Sequence, residues 1–271
     1  MKIYLRNIPF LSLCLVALLV IGAVLLQYPK ADIHLWMNAN HNTAWDFLFR
    51  YYTVVGEWVP YVIVAALLFY KAGWAVFMLG DLLLSGLLAQ RLKYVFDTDR
   101  PYLFFQNNYP DIQLPFVEGV RLSKFYSFPS GHTTTFFVFF FVLCLIATDR
   151  LASQRQQVST PSAKSGYAWL MYVLVPSVCF IFALLGAYSR IYLSQHFLED
   201  IFGGMILGVG TTLLLMWIIE KWGETRFWNW NLLDLRHKNG QKTKKMRVKM
   251  HFFSKIFGQV KKKQYFCTRF R

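Results

Sequence analysis

Six apolar runs recur along this chain, at residues 8–27, 53–70, 72–92, 133–147, 167–187 and 201–219. Hydrocarbon offers no water to backbone N–H and C=O groups, so runs of this kind are satisfied as helices of ~20 residues spanning ~30 Å. The second and fourth runs are short or carry polar residues, which leaves their ends soft. With 56% hydrophobic and 16% charged residues the chain is too apolar for an ordinary soluble domain. The expected fold is all-α, a six-transmembrane-helix bundle.

Charge placement supplies an orientation, because short loops rich in Lys and Arg stay cytoplasmic during insertion. With Lys2 and Arg6 inside, six crossings also place inside Lys71, the linker with Arg150, Arg155 and Lys164, and everything after residue 219. Both termini are then cytoplasmic. Arg121 and Lys124 fall outside, against the trend. The first run, preceded by Lys2 and Arg6, also has the outline of a signal peptide. It is long for that role and lacks a small-x-small cleavage site, so it is read as a retained span.

Two regions result: a six-span domain over residues 1–219 and a basic tail over 220–271. The tail holds 15 Lys and Arg against three acids, most of the chain's net charge of +15. Directly after a membrane helix, such a tail fits anionic lipid headgroups better than nucleic acid. Met250, Phe253, Phe257 and Val260 follow helical spacing between lysines, as in an interfacial amphipathic helix; a disordered, solubilising tail is the alternative. Cys14, Cys144 and Cys179 lie in apolar runs and Cys267 in the tail, so no disulfide framework or zinc spacing is present. Two outer loops are substantial. Residues 28–52, with Trp36, Trp45, Phe47 and Phe49, suit the interface, and residues 101–128 carry Asn107, Asn108, Pro110 and Pro115.

Three polar motifs stand at the edges of the apolar runs, all on the expected outer side. In the first, Lys93 and Arg100 are two helical turns apart if the third span continues, and Pro101 marks where regular helix should end. Two cations there suit a phosphate; snorkelling to the interface is the plainer reading. Upstream, Asp81, Ser85 and Ala89 share a stripe with Lys93 that should face the bundle interior, Asp81 as a structural interhelical hydrogen bond.

In the second motif, Pro129-Ser130-Gly131-His132, Pro129 begins a turn and Ser130 caps the next helix. Gly131 lets backbone approach a ligand, which makes the helix mouth an anion cradle with His132 beside it. An ordinary cap with an incidental histidine is the alternative. The third motif is Ser189-Arg190, His196 and Asp200. His196 and Asp200 are expected one helical turn apart on a shared face, where the carboxylate orients one imidazole nitrogen and leaves the other free to attack. Arg190 offers a planar fork of donors for phosphate oxygens. Structural pairing of histidine and carboxylate is the alternative, and Glu199, ~100° around the helix, is a bystander.

In this order and at these span edges, the three motifs resemble the signature of the type 2 phosphatidic acid phosphatase superfamily. Lys93, Arg100 and Pro101; Pro129 through His132; and Ser189, Arg190, His196 and Asp200 occupy every signature position, with Gly203-Gly204 following. The resemblance implies a six-helix membrane enzyme that removes phosphate from a lipid phosphate or pyrophosphate without metal or other cofactor. It implies His196 as the nucleophile forming a phosphohistidine, Asp200 as its orienting group and His132 as acid for the leaving group. Lys93, Arg100, Ser130, Gly131 and Arg190 would bind phosphoryl oxygens.

The motifs do not choose the lipid. An outward site in a bacterial inner membrane, facing the periplasm or exterior, favours undecaprenyl pyrophosphate or a lipid A phosphate over phosphatidylglycerophosphate and phosphatidic acid. A transporter guiding anions past Asp81 and a catalytically silent lipid-binding relative remain rival readings.

Overall fold

The computed structural model describes residues 6–222, which form helices joined by loops, without strands. Lys2, the basic tail with its expected amphipathic segment, and Cys267 lie outside the described residues. In chain order, α1 (Ile8–Gln27) leads through the short α2 (Lys30–Met37) to α3 (Thr43–Tyr70) and α4 (Ala72–Phe96). The short α5 (Pro101–Asn108) and a long loop precede α6 (Gly131–Gln157). Next come α7 (Pro161–Trp169), a π-helical turn over Leu170–Leu174, α8 (Val175–Tyr192) and α9 (Leu198–Trp222). Six of the resulting rods are long and apolar enough to cross a membrane, α7 and α8 counting as one.

Several boundaries differ from those expected. The second span begins at Thr43 rather than residue 53, because Asn42 caps it by accepting the Trp45 N–H at 3.0 Å. Most of the segment read as loop 28–52 is therefore α2 and the first turns of α3. The fourth span runs ten residues past 147 and carries Arg150 and Arg155 within α6. The third ends at Phe96: Asp97 turns left-handed at φ 39° and its N–H closes on the Lys93 carbonyl at 3.0 Å. Arg100 thus lies beyond the helix rather than two turns along it, and Pro101 opens α5, where its missing N–H costs nothing. The π-helical turn has a similar cause. Pro176 cannot donate to the helical ladder, and the Val175 N–H reaches five residues back, to Leu170.

The core is built around residues 136–147 of α6, a stretch apolar on every side and therefore enclosed on every side. Phe136, Phe137, Phe141 and Leu145 are fully buried among α3, α4, α8 and α9. Small residues let the neighbours approach. A Cβ on Gly204 or Gly208 of α9 would come within 2.7 Å of the Ser130 or Thr134 carbonyl oxygen of α6, so this Gly-xxx-Gly stripe sets the α6–α9 contact. Asp81, fully buried on α4, accepts a hydrogen bond from the Thr212 hydroxyl of α9 at 2.5 Å, the interhelical role expected of it. Ser85, Ala89 and Lys93 are buried along the same stripe.

Large apolar side chains cover the outside instead: Leu15 and Leu19 on α1, Trp58 and Val62 on α3, Leu83 and Leu87 on α4. Such a belt is a liability in water and matches a lipid surround. At one end of the bundle Asp149 of α6 pairs with Arg6 at 3.2 Å and Lys71 at 3.6 Å, which gathers the start of α1 and the α3–α4 turn there. The polar motifs lie at the other end of α6, ~28 Å away at helical rise.

Candidate active site

The mouth of α6 is pinned before it can bind anything. Ser130 is its N-cap, accepting the Thr133 N–H at 3.3 Å, while the Ser130 N–H donates to the Asp200 carbonyl at 3.0 Å. A Cβ on Gly131 would meet nothing within 4 Å, so this residue stands on the open side of the mouth. The first-turn amides and the positive end of the helix dipole face that opening.

The reversal between α8 and α9 brings the third motif against this mouth. The Arg190 carbonyl accepts both the Gln195 N–H at 2.9 Å and the His196 N–H at 3.2 Å, and Ser194 takes a left-handed φ of 50° to close the turn. Because α9 starts at Leu198, His196 precedes the helix rather than sharing its face, contrary to expectation. The pair meets nonetheless. Asp200, third in the helix, reaches back: its Oδ2 accepts the Phe197 N–H at 2.8 Å, the return half of a capping box. The same oxygen lies 3.2 Å from His196 Nδ1 and accepts the Ser127 hydroxyl at 2.5 Å. With Nδ1–H committed to Asp200, Nε2 carries the free lone pair.

Three cations surround this pair. Lys93 Nζ donates to the Tyr126 carbonyl at 2.6 Å, and Arg100 Nε to the Phe125 carbonyl at 3.0 Å. Arg190 donates to the Thr53 hydroxyl of α3, yet its buried Nε has no partner among the described residues. A buried donor left unpaired costs ~1–3 kcal/mol, which a bound anion would recover. The His196 imidazole is held well below its ordinary pKa, first by burial and then by the charges of Arg100, Lys93 and Arg190. Both causes favour the uncharged form.

Thus Lys93, Arg100, Ser130, Gly131, His132, Arg190, His196 and Asp200 converge at one end of the bundle. Sequence reasoning missed Ser127 and Glu57. Glu57 Oε1 stands 2.8 Å from His132 Nε2 and accepts a hydrogen bond from it. The signal for Glu57 was available, since it is the single charged residue in run 53–70. Nothing comparable marks Ser127. Glu199 turns away, pairing with Lys30 at 3.4 Å. Among the described residues, no group of three or more His, Cys, Asp or Glu is placed to hold a metal.

A polytopic helical membrane protein with this convergence matches one known family. Residues 74–224, more than half of the chain and inclusive of all three motifs, match the PAP2 superfamily model, and the chain belongs to that superfamily. A lipid A 4'-phosphatase from Porphyromonas gingivalis is 27% identical over 187 residues, covering 66% of this chain and 68% of the relative. Two crystal structures share the fold. LpxE from Aquifex aeolicus superposes with a TM-score of 0.50 at 19% identity, covering 70% of this chain and 96% of that one. The first transmembrane PAP2 type phosphatidylglycerolphosphate phosphatase from Bacillus subtilis gives 0.53 at 23% identity, covering 78% and 96%. The chain is an integral multi-pass membrane protein.

Proposed function

We propose that this protein is a membrane lipid phosphatase that hydrolyses a lipid A phosphate through a phosphohistidine at His196. One observation carries the reading: a buried imidazole among three cations, with Nδ1 3.2 Å from a buried carboxylate. His196 Nε2 attacks phosphorus, forming the N–P bond as the P–O bond to the lipid breaks. His132 gives its proton to the departing oxygen. It then takes a proton from water, which displaces His196 and releases inorganic phosphate.

Lys93, Arg100, Arg190, the Ser130 hydroxyl and the Gly131 amide hold the equatorial oxygens, where charge is stabilised in the transition state. Each such contact is worth on the order of 3 kcal/mol, or ~10²-fold in rate. Asp200 keeps His196 in the attacking tautomer, and Ser127 fixes Asp200.

The Porphyromonas gingivalis relative supports a lipid A phosphate, since the similarity spans about two thirds of both chains. The Bacillus subtilis structure supports phosphatidylglycerophosphate as the second choice, and undecaprenyl pyrophosphate presents the same terminal phosphoryl group. Positive-inside placement puts the site on the periplasmic face, both termini in the cytoplasm and the basic tail on anionic headgroups. Phosphate release from these lipids by purified protein, with and without chelator, tests the reading. Chelator-resistant release from lipid A that disappears in His196→Ala is expected. Binding of the lipids without release from any of them would refute it.

A further inference from the structure

Beside the phosphoryl site lies a cavity of about 590 Å³ whose wall includes Lys93, Arg100, Arg121 and Lys124, with Gln90 and Ser123 between them. Its wall has no acidic residue. Among the described residues, no carboxylate forms an ion pair with any of these four cations. Lys93 and Arg100 spend donors on the Tyr126 and Phe125 carbonyls, and the carboxylate that acts on both is Asp200 of the phosphoryl site. With Arg190, five cations stand against two carboxylates, Asp200 and Glu57, and a scissile phosphate that carries at most about two negative charges. The surplus lies on the cavity side. The volume is also far more than one phosphate fills and falls within the range of ligand pockets.

Arg121 and Lys124 need an explanation of their own. They belong to the loop between α5 and α6, at the end of the bundle opposite Arg6 and Lys71, where cations run against the insertion bias. The site itself holds their backbone. The Arg100 N–H donates to the Lys124 carbonyl at 2.9 Å, and Gln195 Nε2, next to His196, donates to the Arg121 carbonyl at 3.2 Å. This wall is thus fixed in register with the phosphoryl pocket, though the two side chains themselves are exposed.

We propose that the cavity is a second anion subsite, which takes a further phosphate or carboxylate on the polar head of the same lipid. The inference rests on the lipid phosphatase reading and deepens it: the substrate is a lipid with two anionic groups on a broad head. Lys93 and Arg100 face both anions. Arg121 and Lys124 face the second alone and set the preference for it.

The test compares lipid A bearing two phosphates with lipid A bearing the 4'-phosphate only, both in neutral detergent micelles, using the full chain and an Arg121→Ala/Lys124→Ala variant. The unaltered protein is expected to favour the doubly phosphorylated lipid in KM. The variant should lose about tenfold of that selectivity, mostly in KM, with its Tm unchanged. Higher salt should erode the same preference. Equal effects on both lipids, or none, would overturn the subsite while leaving the phosphatase reading intact. Phosphatidylglycerol competing equally with both substrates would assign the cavity to free headgroups and also overturn it. Failure of the unaltered protein to release phosphate from either lipid would overturn the lipid A assignment, and the subsite with it.

Discussion

Gly204 is where α9 presses on the mouth of α6, and replacing it with alanine should damage catalysis without touching a reacting group. The added Cβ would lie 2.7 Å from the Ser130 carbonyl oxygen and 2.9 Å from Thr133 Cβ. Ordinary contact begins near 3.4 Å, so the two helices must part by about 0.7 Å. The carbonyl cannot swing aside, because it accepts both the N–H and the hydroxyl of Thr134, each at 3.0 Å. Overpacking of this kind costs ~1–3 kcal/mol, of which the better helix propensity of alanine offsets ~1. The protein should therefore fold with a modest loss in Tm. Catalysis is more sensitive. Parting the helices weakens the Ser130 N–H bond to the Asp200 carbonyl, which joins the anion cradle to the His196–Asp200 pair. Misplacement approaching 1 Å costs on the order of 10²-fold in rate. Gly210→Ala on the same helix meets nothing within 4 Å and serves as the control, with activity retained and Tm equal or higher. The assay is single-turnover phosphate release together with thermal unfolding in detergent. Full activity in Gly204→Ala, or equal damage in Gly210→Ala, would refute the reasoning.

Asp200→Asn should lower kcat on the order of 10³-fold or more while lipid binding persists, because the amide no longer holds Nδ1–H and the attacking tautomer is lost; steady-state kinetics beside a lipid-binding assay checks this. The pH profile of kcat/KM should be bell-shaped. Burial and the neighbouring cations lower the His196 pKa, so its uncharged form persists below the ordinary histidine value of ~6.5. The acid limb should accordingly lie below pH 6.5, and an acid limb above pH 7 would contradict the assignment. Glu57→Gln weakens the orientation of His132 and should slow an alkyl phosphate by about tenfold. It should leave p-nitrophenyl phosphate within about twofold, since that leaving group needs no proton.

The six spans could be read from the sequence because hydrocarbon imposes a length and a polarity on every crossing. The motif residues stood out because each is polar at the edge of an apolar run. What escaped depends on contacts between helices distant in sequence. Glu57 meets His132 across α3 and α6, and Thr53 meets Arg190 across α3 and α8. Ser127 reaches Asp200 over a separation of 73 residues. Helix ends escaped for a local reason. The left-handed Asp97, the Asn42 cap and the start of α9 at Leu198 are decided by single hydrogen bonds that hydropathy does not register. His196 shows both effects. Its partner was identified correctly, but through a shared helical face, whereas the contact runs through a capping return from Asp200.

The covalent role of His196 is tested most directly by trapping the intermediate. Rapid mixing with lipid A carrying a labelled phosphate, quenching within the first turnover and peptide mass spectrometry under alkaline conditions should place phosphate on His196. That adduct should accumulate when water attack is slowed by deuterium oxide, and it should be absent from His196→Ala. Burst-free phosphate release at the full rate with no phosphohistidine at any time point, together with inverted configuration at a chiral phosphorus, would show that water attacks the lipid directly and would contradict the account.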